Sequence, residues 1–281
     1  MKEEWTTVIK PKTGWFDVNL KEIIEYRDLI LMFLKRNFTS AYKQTILGPI
    51  WFLITPLMTS SMFTVVFGQI AKISTDGVPQ FLFYMAGNTA WSYFSTCLTS
   101  TASTFTSNAH LFGKVYFPRL ISPITTVIYA MFSFLIHLAL MLVLMAYFAF
   151  VRGENVEPNL WILAVPLMVI NMALLGLGIG IIISSLTTKY RDLSILVGFG
   201  VQLWMYATPI VYPLSQVPEF LRGIIILNPM APIVNNFRYA FLGCGQMELA
   251  SWGMSACFTL IVLFFGVLLF SKIEKTFMDT V

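Results

Sequence analysis

Six long apolar stretches, separated by short polar segments, dominate this sequence of 281 residues. A helix needs about 20 consecutive apolar residues to cross the hydrocarbon core of a bilayer. Each stretch meets or nearly meets that length, so the pattern predicts an all-α integral membrane protein with six transmembrane helices. The predicted spans are residues 46–71, 79–105, 120–151, 160–186, 193–211 and 252–270.

The segment before the first span, residues 1–45, is predicted to be cytoplasmic and to contain an amphipathic interface helix. Its apolar residues between positions 20 and 42 recur at helical spacing. We expect this helix to lie on the membrane surface with Arg27, Lys35 and Arg36 near anionic headgroups. A soluble helix packed on a partner is the alternative. Residues 46–281 then form the transmembrane domain.

Two short apolar segments, residues 220–227 and 232–242, precede the last span. Each is too short to cross a bilayer and too apolar for a free loop, and prolines and glycines separate them. We therefore predict two short re-entrant helices that dip into the outer leaflet.

Composition and charge agree with a membrane protein and predict its orientation. Hydrophobic residues make up 57% of the chain and charged residues 11%, against about 25% charged in soluble domains. Fourteen of the 18 lysines and arginines fall in segments that would share one side with the N terminus. Positive residues favour the cytoplasm, so both termini are predicted to be cytoplasmic.

The sequence offers no group of residues with the pattern of a catalytic or metal site. It has two histidines and no phosphate-binding loop. We expect His137, which lies in the third span, to be a hydrogen-bonded packing residue. The chain is thus predicted to be neither an enzyme nor a holder of cofactors, and uphill transport would use ATP bound by another chain.

Motifs in four segments carry a family resemblance. They lie in the inner loop after the second span, the next inner loop, the last outer loop and the N-terminal segment. Their residues are Asn108, Leu111, Lys114-Val115, Phe117-Pro118-Arg119, Lys189-Tyr190-Arg191-Asp192-Leu193, Leu227-Asn228-Pro229-Met230, Phe237-Arg238-Tyr239, Gly243, Arg27-Asp28-Leu29, Tyr42-Lys43 and Leu47-Gly48-Pro49-Ile50-Trp51. Together these motifs closely resemble those of the membrane subunits of type-2 ABC exporters.

Within that family the chain looks like the subunits that export lipid-linked polysaccharides such as O-antigen. The resemblance implies a homodimer in the bacterial inner membrane, together with two copies of a separate ATPase that binds ATP and Mg. Its other expected partners are membrane lipid and a lipid-linked polysaccharide, with no nucleic acid. Capsular polysaccharide, teichoic acid, another glycolipid or a drug are alternative cargoes. A passive channel and a membrane-embedded glycosyltransferase are alternatives from other classes.

The inner loops are where an ATPase would contact this fold. Asn108 is expected to cap the start of a short helix there, and Pro118 is expected to end it. Lys114 and Arg119 would meet acidic groups of the ATPase, or else only set the membrane orientation. The predicted coupling residues are Asn108, Leu111, Lys114, Phe117, Pro118, Arg119, Arg191 and Asp192.

An aromatic stripe is the candidate surface for a sugar polymer, because aromatic rings stack on the apolar faces of sugars. Phe81, Tyr84 and Trp91 share one face of the second span, and Trp204 and Tyr212 share one face of the fifth. We predict that these five side chains line a channel. The alternative is that they anchor the helices at the headgroups.

Overall fold

The computed structural model describes residues 24–43, 48–112, 114, 117–187 and 192–280, and all regular secondary structure in these ranges is helical. The α-helices are α1 (Arg27–Tyr42), α2 (Trp51–Phe63), α3 (Gln80–Ala102), α4 (Thr104–Phe112), α5 (Ile121–Phe150), α6 (Val165–Thr187), α7 (Leu193–Tyr206), α8 (Glu219–Leu227), α9 (Met230–Leu242) and α10 (Leu249–Thr280). Short 3-10 helices cover Gly48–Ile50, Leu160–Ala164 and Leu214–Gln216, and a π-helix continues α2 over Thr64–Ile70.

Helices occupy all six predicted spans, but they do not all have the composition of an independent span. In the described part of the chain, four helical segments are long and apolar enough to cross a bilayer: Trp51–Ile70, Ile121–Phe150, Leu160–Thr187 and Leu249–Lys272. Helix α3 is long, but its serines and threonines lower its hydropathy. Helix α7 is apolar but has only 14 residues. The chain is therefore a multi-pass membrane protein.

Helix α3 is the central helix of the bundle. It packs against α2, α5, α6 and α9, and 16 of its 23 residues are buried. Among its serines and threonines, Thr89 and Thr101 are buried and the other five are half-buried. The hydroxyls of Ser95 and Thr99 donate hydrogen bonds to carbonyls of α3 itself. The central position of α3 and these local hydrogen bonds explain how a span with a polar composition is accommodated.

Glycines let α6 approach its neighbours closely. A β-carbon at Gly176 would lie 2.7 Å from Cβ of Cys97, and one at Gly180 would lie 2.5 Å from Cβ of Thr101, both on α3. Gly178, on the opposite face of α6, makes the same kind of close approach to α10. Such small residues at helix contacts are typical of membrane proteins, because packing drives association in lipid.

A proline in α2 removes a helical hydrogen bond, and a histidine in α5 replaces it. Pro56 lies inside α2 and has no N–H, so the carbonyl of Phe52, four residues earlier, lacks its usual helical partner. His137 is buried and forms a hydrogen bond with the backbone of Phe52. His137 is thus the hydrogen-bonded packing residue that the sequence predicts.

The predicted interface helix corresponds to α1, and the part of the prediction before residue 24 lies outside the described residues. Phe38 of α1 packs edge-on against Tyr129 and Phe132 of α5, with ring centroids 5.0 and 4.9 Å apart. Leu31 and Met32 remain exposed, as do the predicted headgroup contacts Arg27, Lys35 and Arg36. Contact with the bilayer stays a prediction.

The two short helices predicted before the last span are present as α8 and α9. Helix α8 has no buried residue, whereas 11 of the 13 residues of α9 are buried. Helix α9 is therefore part of the protein core, and α8 is a surface helix. Insertion of the two helices into the outer leaflet stays a prediction.

The α3–α6 contact gives a first prediction. Gly180→Leu places a large side chain where a single carbon already meets Thr101, so we expect it to lower the free energy of unfolding by about 1–3 kcal/mol. Gly198→Leu on α7 is the matched control, because no atom lies within 4 Å of a β-carbon there. The midpoint of thermal unfolding in detergent measures both, and equal midpoints would contradict the proposed close contact.

Candidate functional site

The inner loop begins with the short helix α4, and Asn108 anchors that helix to α5. The side-chain amide of Asn108 is 8% exposed. It donates hydrogen bonds to the carbonyl of Thr104 at 3.1 Å and to Oγ of Ser122 at 2.9 Å. The expected cap is therefore wrong: α4 begins at Thr104, and Asn108 lies inside it. Instead, Asn108 joins α4 to the first turn of α5.

An aromatic cluster holds the segment between α4 and α5. The ring of Phe117 lies 5.6 Å from that of Phe112 on α4 and 5.6 Å from that of Phe33 on α1. The guanidinium of Arg119 lies 5.5 Å from the centre of the Phe112 ring, within the range of a cation–π contact. Pro118 is buried beside them. Helix α4 ends at Phe112, before Pro118 is reached.

The remaining predicted coupling residues differ in accessibility. Lys114 is exposed and Leu111 is half-buried. Asp192 is exposed, and its carbonyl accepts a hydrogen bond from the N–H of Ile195 at 3.1 Å as α7 begins. Arg191 lies outside the described residues. Contact of this surface with an ATPase stays a prediction.

Two members of the predicted channel stripe are in the core. Tyr84 is 0% exposed and Trp91 is 5% exposed. The Trp91 ring packs edge-on against Trp204 at 6.2 Å, and Phe81 stacks on Phe148 of α5 at 6.3 Å. Other parts of the chain thus cover the side chains of Tyr84 and Trp91. The lining of a channel by Phe81, Tyr84 and Trp91 stays a prediction.

Trp204 and Tyr212 keep part of their surface exposed. Trp204 borders an apolar groove of about 480 Å³ between α3, α6 and α7. The hydroxyl of Tyr212 donates a hydrogen bond to the carbonyl of Tyr206 at 3.2 Å. The contact of these two residues with a polymer stays a prediction.

On the predicted outer side, Asn228 uses the full hydrogen-bonding capacity of its side-chain amide. Its Oδ1 accepts from the indole N–H of Trp204 at 2.9 Å and from the backbone N–H of Met230 at 3.0 Å. Its Nδ2 donates to Oγ1 of Thr208 at 2.8 Å and to the carbonyl of Ala207 at 3.2 Å. An amide side chain makes at most four such bonds. Asn228 therefore fixes the end of α7 to the start of α9.

The next residue of the motif, Pro229, takes part in a series of hydrogen bonds between helices. The carbonyl of Pro229 accepts a hydrogen bond from Oγ of Ser255 on α10 at 2.7 Å. Oδ1 of Asn171 on α6 accepts from Oγ1 of Thr259 on α10 at 2.7 Å, and its Nδ2 lies 3.5 Å from Oγ of Ser255. These contacts connect the start of α9 to α6 and α10.

Arg238 of α9 is the third residue of the outer motif, and it is buried at 2% exposure. Its Nε donates to the carbonyl of Phe83 at 3.1 Å, and its two terminal nitrogens donate to the carbonyls of Pro209 and Ile210. The guanidinium carbon lies 3.7 Å from the centre of the Phe83 ring. Gly87 leaves the space that the guanidinium occupies. One side chain thus joins α3, α9 and the turn after α7.

We define the outer junction as Asn228, Pro229 and Arg238 with their hydrogen-bond partners. The motifs in the sequence do not indicate several of these partners. Ser255, Thr259 and Asn171 are polar residues inside spans, and such residues usually form hydrogen bonds across helices. Their types and positions therefore indicate an interhelical contact. The bonds from Ser215 Oγ to both carboxylate oxygens of Asp76, each at 2.9 Å, join two outer loops. Nothing in their spacing of 139 residues indicates that contact.

Residues 28–242 match the protein family described as ABC-2 type transporter. The chain is also similar to curated proteins along most of its length. It is 28% identical over 255 residues to the O-antigen export system permease protein RfbA of Klebsiella pneumoniae, covering 90% of this chain and 94% of that protein. It is 29% identical over 226 residues to the protein of the same name from Myxococcus xanthus, covering 79% and 83%.

A more distant similarity extends to a second kind of transporter. The chain is 23% identical over 246 residues to the polysialic acid transport protein KpsM of Escherichia coli, covering 87% of this chain and 93% of that protein. The three relatives thus align with this chain over 83–94% of their own length.

Arg238 gives the prediction for this site. Arg238→Lys keeps the charge, but an ammonium is a single point that cannot reproduce the fork of the guanidinium. We expect the free energy of unfolding to fall by about 2–4 kcal/mol, because carbonyls and a charge are left poorly paired in the core. Arg222→Lys on the exposed helix α8 should change it by less than about 0.5 kcal/mol. Similar thermal midpoints for the two variants would be the contrary result.

Proposed function

This chain belongs to the ABC-2 type transporter family, and we propose that it is the membrane subunit of an ATP-driven exporter that moves a lipid-linked, O-antigen-like polysaccharide out of the cytoplasm. The observation that carries the proposal is the similarity to O-antigen export permeases over nearly the full length of both chains. A capsular polysaccharide is the second candidate cargo, favoured by the similarity to a polysialic acid transport protein.

The energy for export is proposed to come from a separate ATPase that binds ATP and Mg and docks beneath the inner loop. The contacts of α4 support this, because a force applied to α4 would reach three other helices through them. The backbone N–H of Phe105 donates to Oγ of Ser184 on α6 at 3.3 Å. Asn108 holds Ser122 on α5. The cluster around Phe117 reaches α1. Movement of α4 would therefore be transmitted to α1, α5 and α6 together.

The proposed topology counts α3 and α7 as the second and fifth of six spans. Both termini then lie in the cytoplasm, and α8 and α9 lie at the outer leaflet. The uneven distribution of basic residues supports this orientation. The burial of α3 supports its inclusion, because a helix surrounded by protein does not need an apolar surface.

A homodimer in the inner membrane is the proposed assembly, with the polymer passage between the two copies. The exposed apolar surface of α7 is compatible with such contact: Ile195 is 76% exposed and Phe199 is 60% exposed. Lipid would cover the part of this surface that a second copy does not.

The exporter function and the coupling role of the inner loop are tested together. In cells lacking the native chain, Lys114→Glu should weaken association with the ATPase by about tenfold, because like charges then face each other. Less polysaccharide should reach the cell surface. Lys72→Glu is the matched control, with the same charge change on an exposed residue of the predicted outer side.

Surface polysaccharide and copurified ATPase measure the outcome. Equal export and equal copurification for the two variants would rule out the coupling role of Lys114. Failure of the unaltered chain to restore surface polysaccharide would rule out the proposed function itself.

The topology is tested by labelling introduced cysteines in a Cys257→Ala background, since Cys97 and Cys244 are buried. An impermeant maleimide should label Glu219→Cys in intact spheroplasts, but label Lys114→Cys only after the membrane is opened. Both positions are exposed, so accessibility within the protein does not favour either. Labelling of both variants in intact spheroplasts would contradict six spans between cytoplasmic termini.

A further inference from the structure

A polar cavity of about 360 Å³ lies among α1, the end of α3, α4 and the start of α5. Twelve of the described residues line it. Eight of them carry hydroxyl groups, two are asparagines, one is Phe33 and one is Arg36. Among the described residues, the lining thus contains one positive charge and no carboxylate, which suits an anion. The hydroxyls of Ser103, Thr125 and Thr126 already donate to backbone carbonyls, so the donors for a ligand must come from other residues of the lining.

Thr104 supplies an unsatisfied donor in this lining. It is 1% exposed, and its hydroxyl has no hydrogen-bond partner in the described part of the chain. A buried hydroxyl without a partner costs about 1–3 kcal/mol. A ligand oxygen in the cavity would relieve that cost. Thr104 is also the first residue of α4, where the helix dipole favours negative charge.

Arg36 supplies the charge at the exposed side of the cavity. Its guanidinium lies 4.7 Å from the centre of the Phe33 ring and 3.5 Å from Oδ1 of Asn37. It takes part in no ion pair among the described residues. The ring and the amide orient the guanidinium, and no carboxylate of the described ranges neutralises its charge, so it can attract an anionic ligand.

A third donor comes from Ser122. Its Oγ accepts the hydrogen bond from Asn108, which leaves the hydroxyl hydrogen of Ser122 for another acceptor. Arg36, Thr104 and Ser122 come from α1, α4 and α5 respectively. A ligand that accepts from all three would therefore join the helices that meet at the inner loop.

We propose that this cavity binds a phosphate group. A guanidinium, hydroxyl donors and a helix N-terminus together are the chemistry by which proteins hold phosphate. The cavity is about ten times the volume of roughly 30 Å³ that one water occupies in the liquid, so it accommodates part of the group that carries the phosphate. That carrier is either a lipid or a soluble phosphate, and the site does not depend on the identity of the exported cargo.

The test measures ligand binding to the full-length chain in phosphate-free detergent buffer. The probes are dihexanoyl phosphatidic acid, inorganic phosphate and, as the ligand without phosphate, dihexanoylglycerol. Arg36→Gln should weaken binding of phosphatidic acid by about tenfold. Lys35→Gln removes a neighbouring charge that does not line the cavity, and its affinity should stay within about twofold of the unaltered chain.

Thr104 provides a second, uncharged test. Thr104→Val removes the hydroxyl with little change in shape and should weaken binding, whereas Thr104→Ser keeps the hydroxyl and should restore it. Tighter binding of phosphatidic acid than of inorganic phosphate identifies a lipid phosphate, and equal affinities identify a soluble one. Failure of both phosphate probes to bind, or equal affinities of Arg36→Gln and Lys35→Gln, would overturn the proposal.

Discussion

The buried guanidinium of Arg238 is the interaction on which the outer half of this protein depends. A cation in a protein core is tolerated only when hydrogen bonds replace its hydration. Here the replacements are backbone carbonyls of Phe83, Pro209 and Ile210. Because these carbonyls belong to α3 and to the turn after α7, satisfying the charge fixes two separate segments of backbone against α9.

The two sides of the protein are held together differently. At the outer junction, Asn228 and the chain of Ser255, Asn171 and Thr259 form hydrogen bonds among α6, α7, α9 and α10. At the inner loop, aromatic packing around Phe117 leaves charged side chains accessible. Hydrogen bonds between helices thus hold the outer junction, whereas aromatic packing holds the inner loop and leaves Lys114 exposed.

The candidate residues illustrate how far sequence patterns reach. The motifs directed attention to Asn108, Asn228 and Arg238, and all three proved to be central to their surroundings. The cap assigned to Asn108 was wrong because the helix begins at Thr104, four residues before Asn108. Helical spacing shows which residues share a face and not what covers that face, so it did not indicate that Tyr84 and Trp91 are both buried.

By itself the sequence determined the membrane class, the helical segments with nearly their bounds, and the motifs of the family. These depend on local quantities: apolar length, proline and glycine positions, and the distribution of charge. Only the tertiary structure decided that the hydroxyl-rich α3 lies at the centre and that Gly176 and Gly180 let α6 approach it closely. It also decided that His137 forms a hydrogen bond with the carbonyl that Pro56 leaves without its helical partner. Each of these outcomes depends on atoms far apart in the chain, and packing in three dimensions is what brings them together.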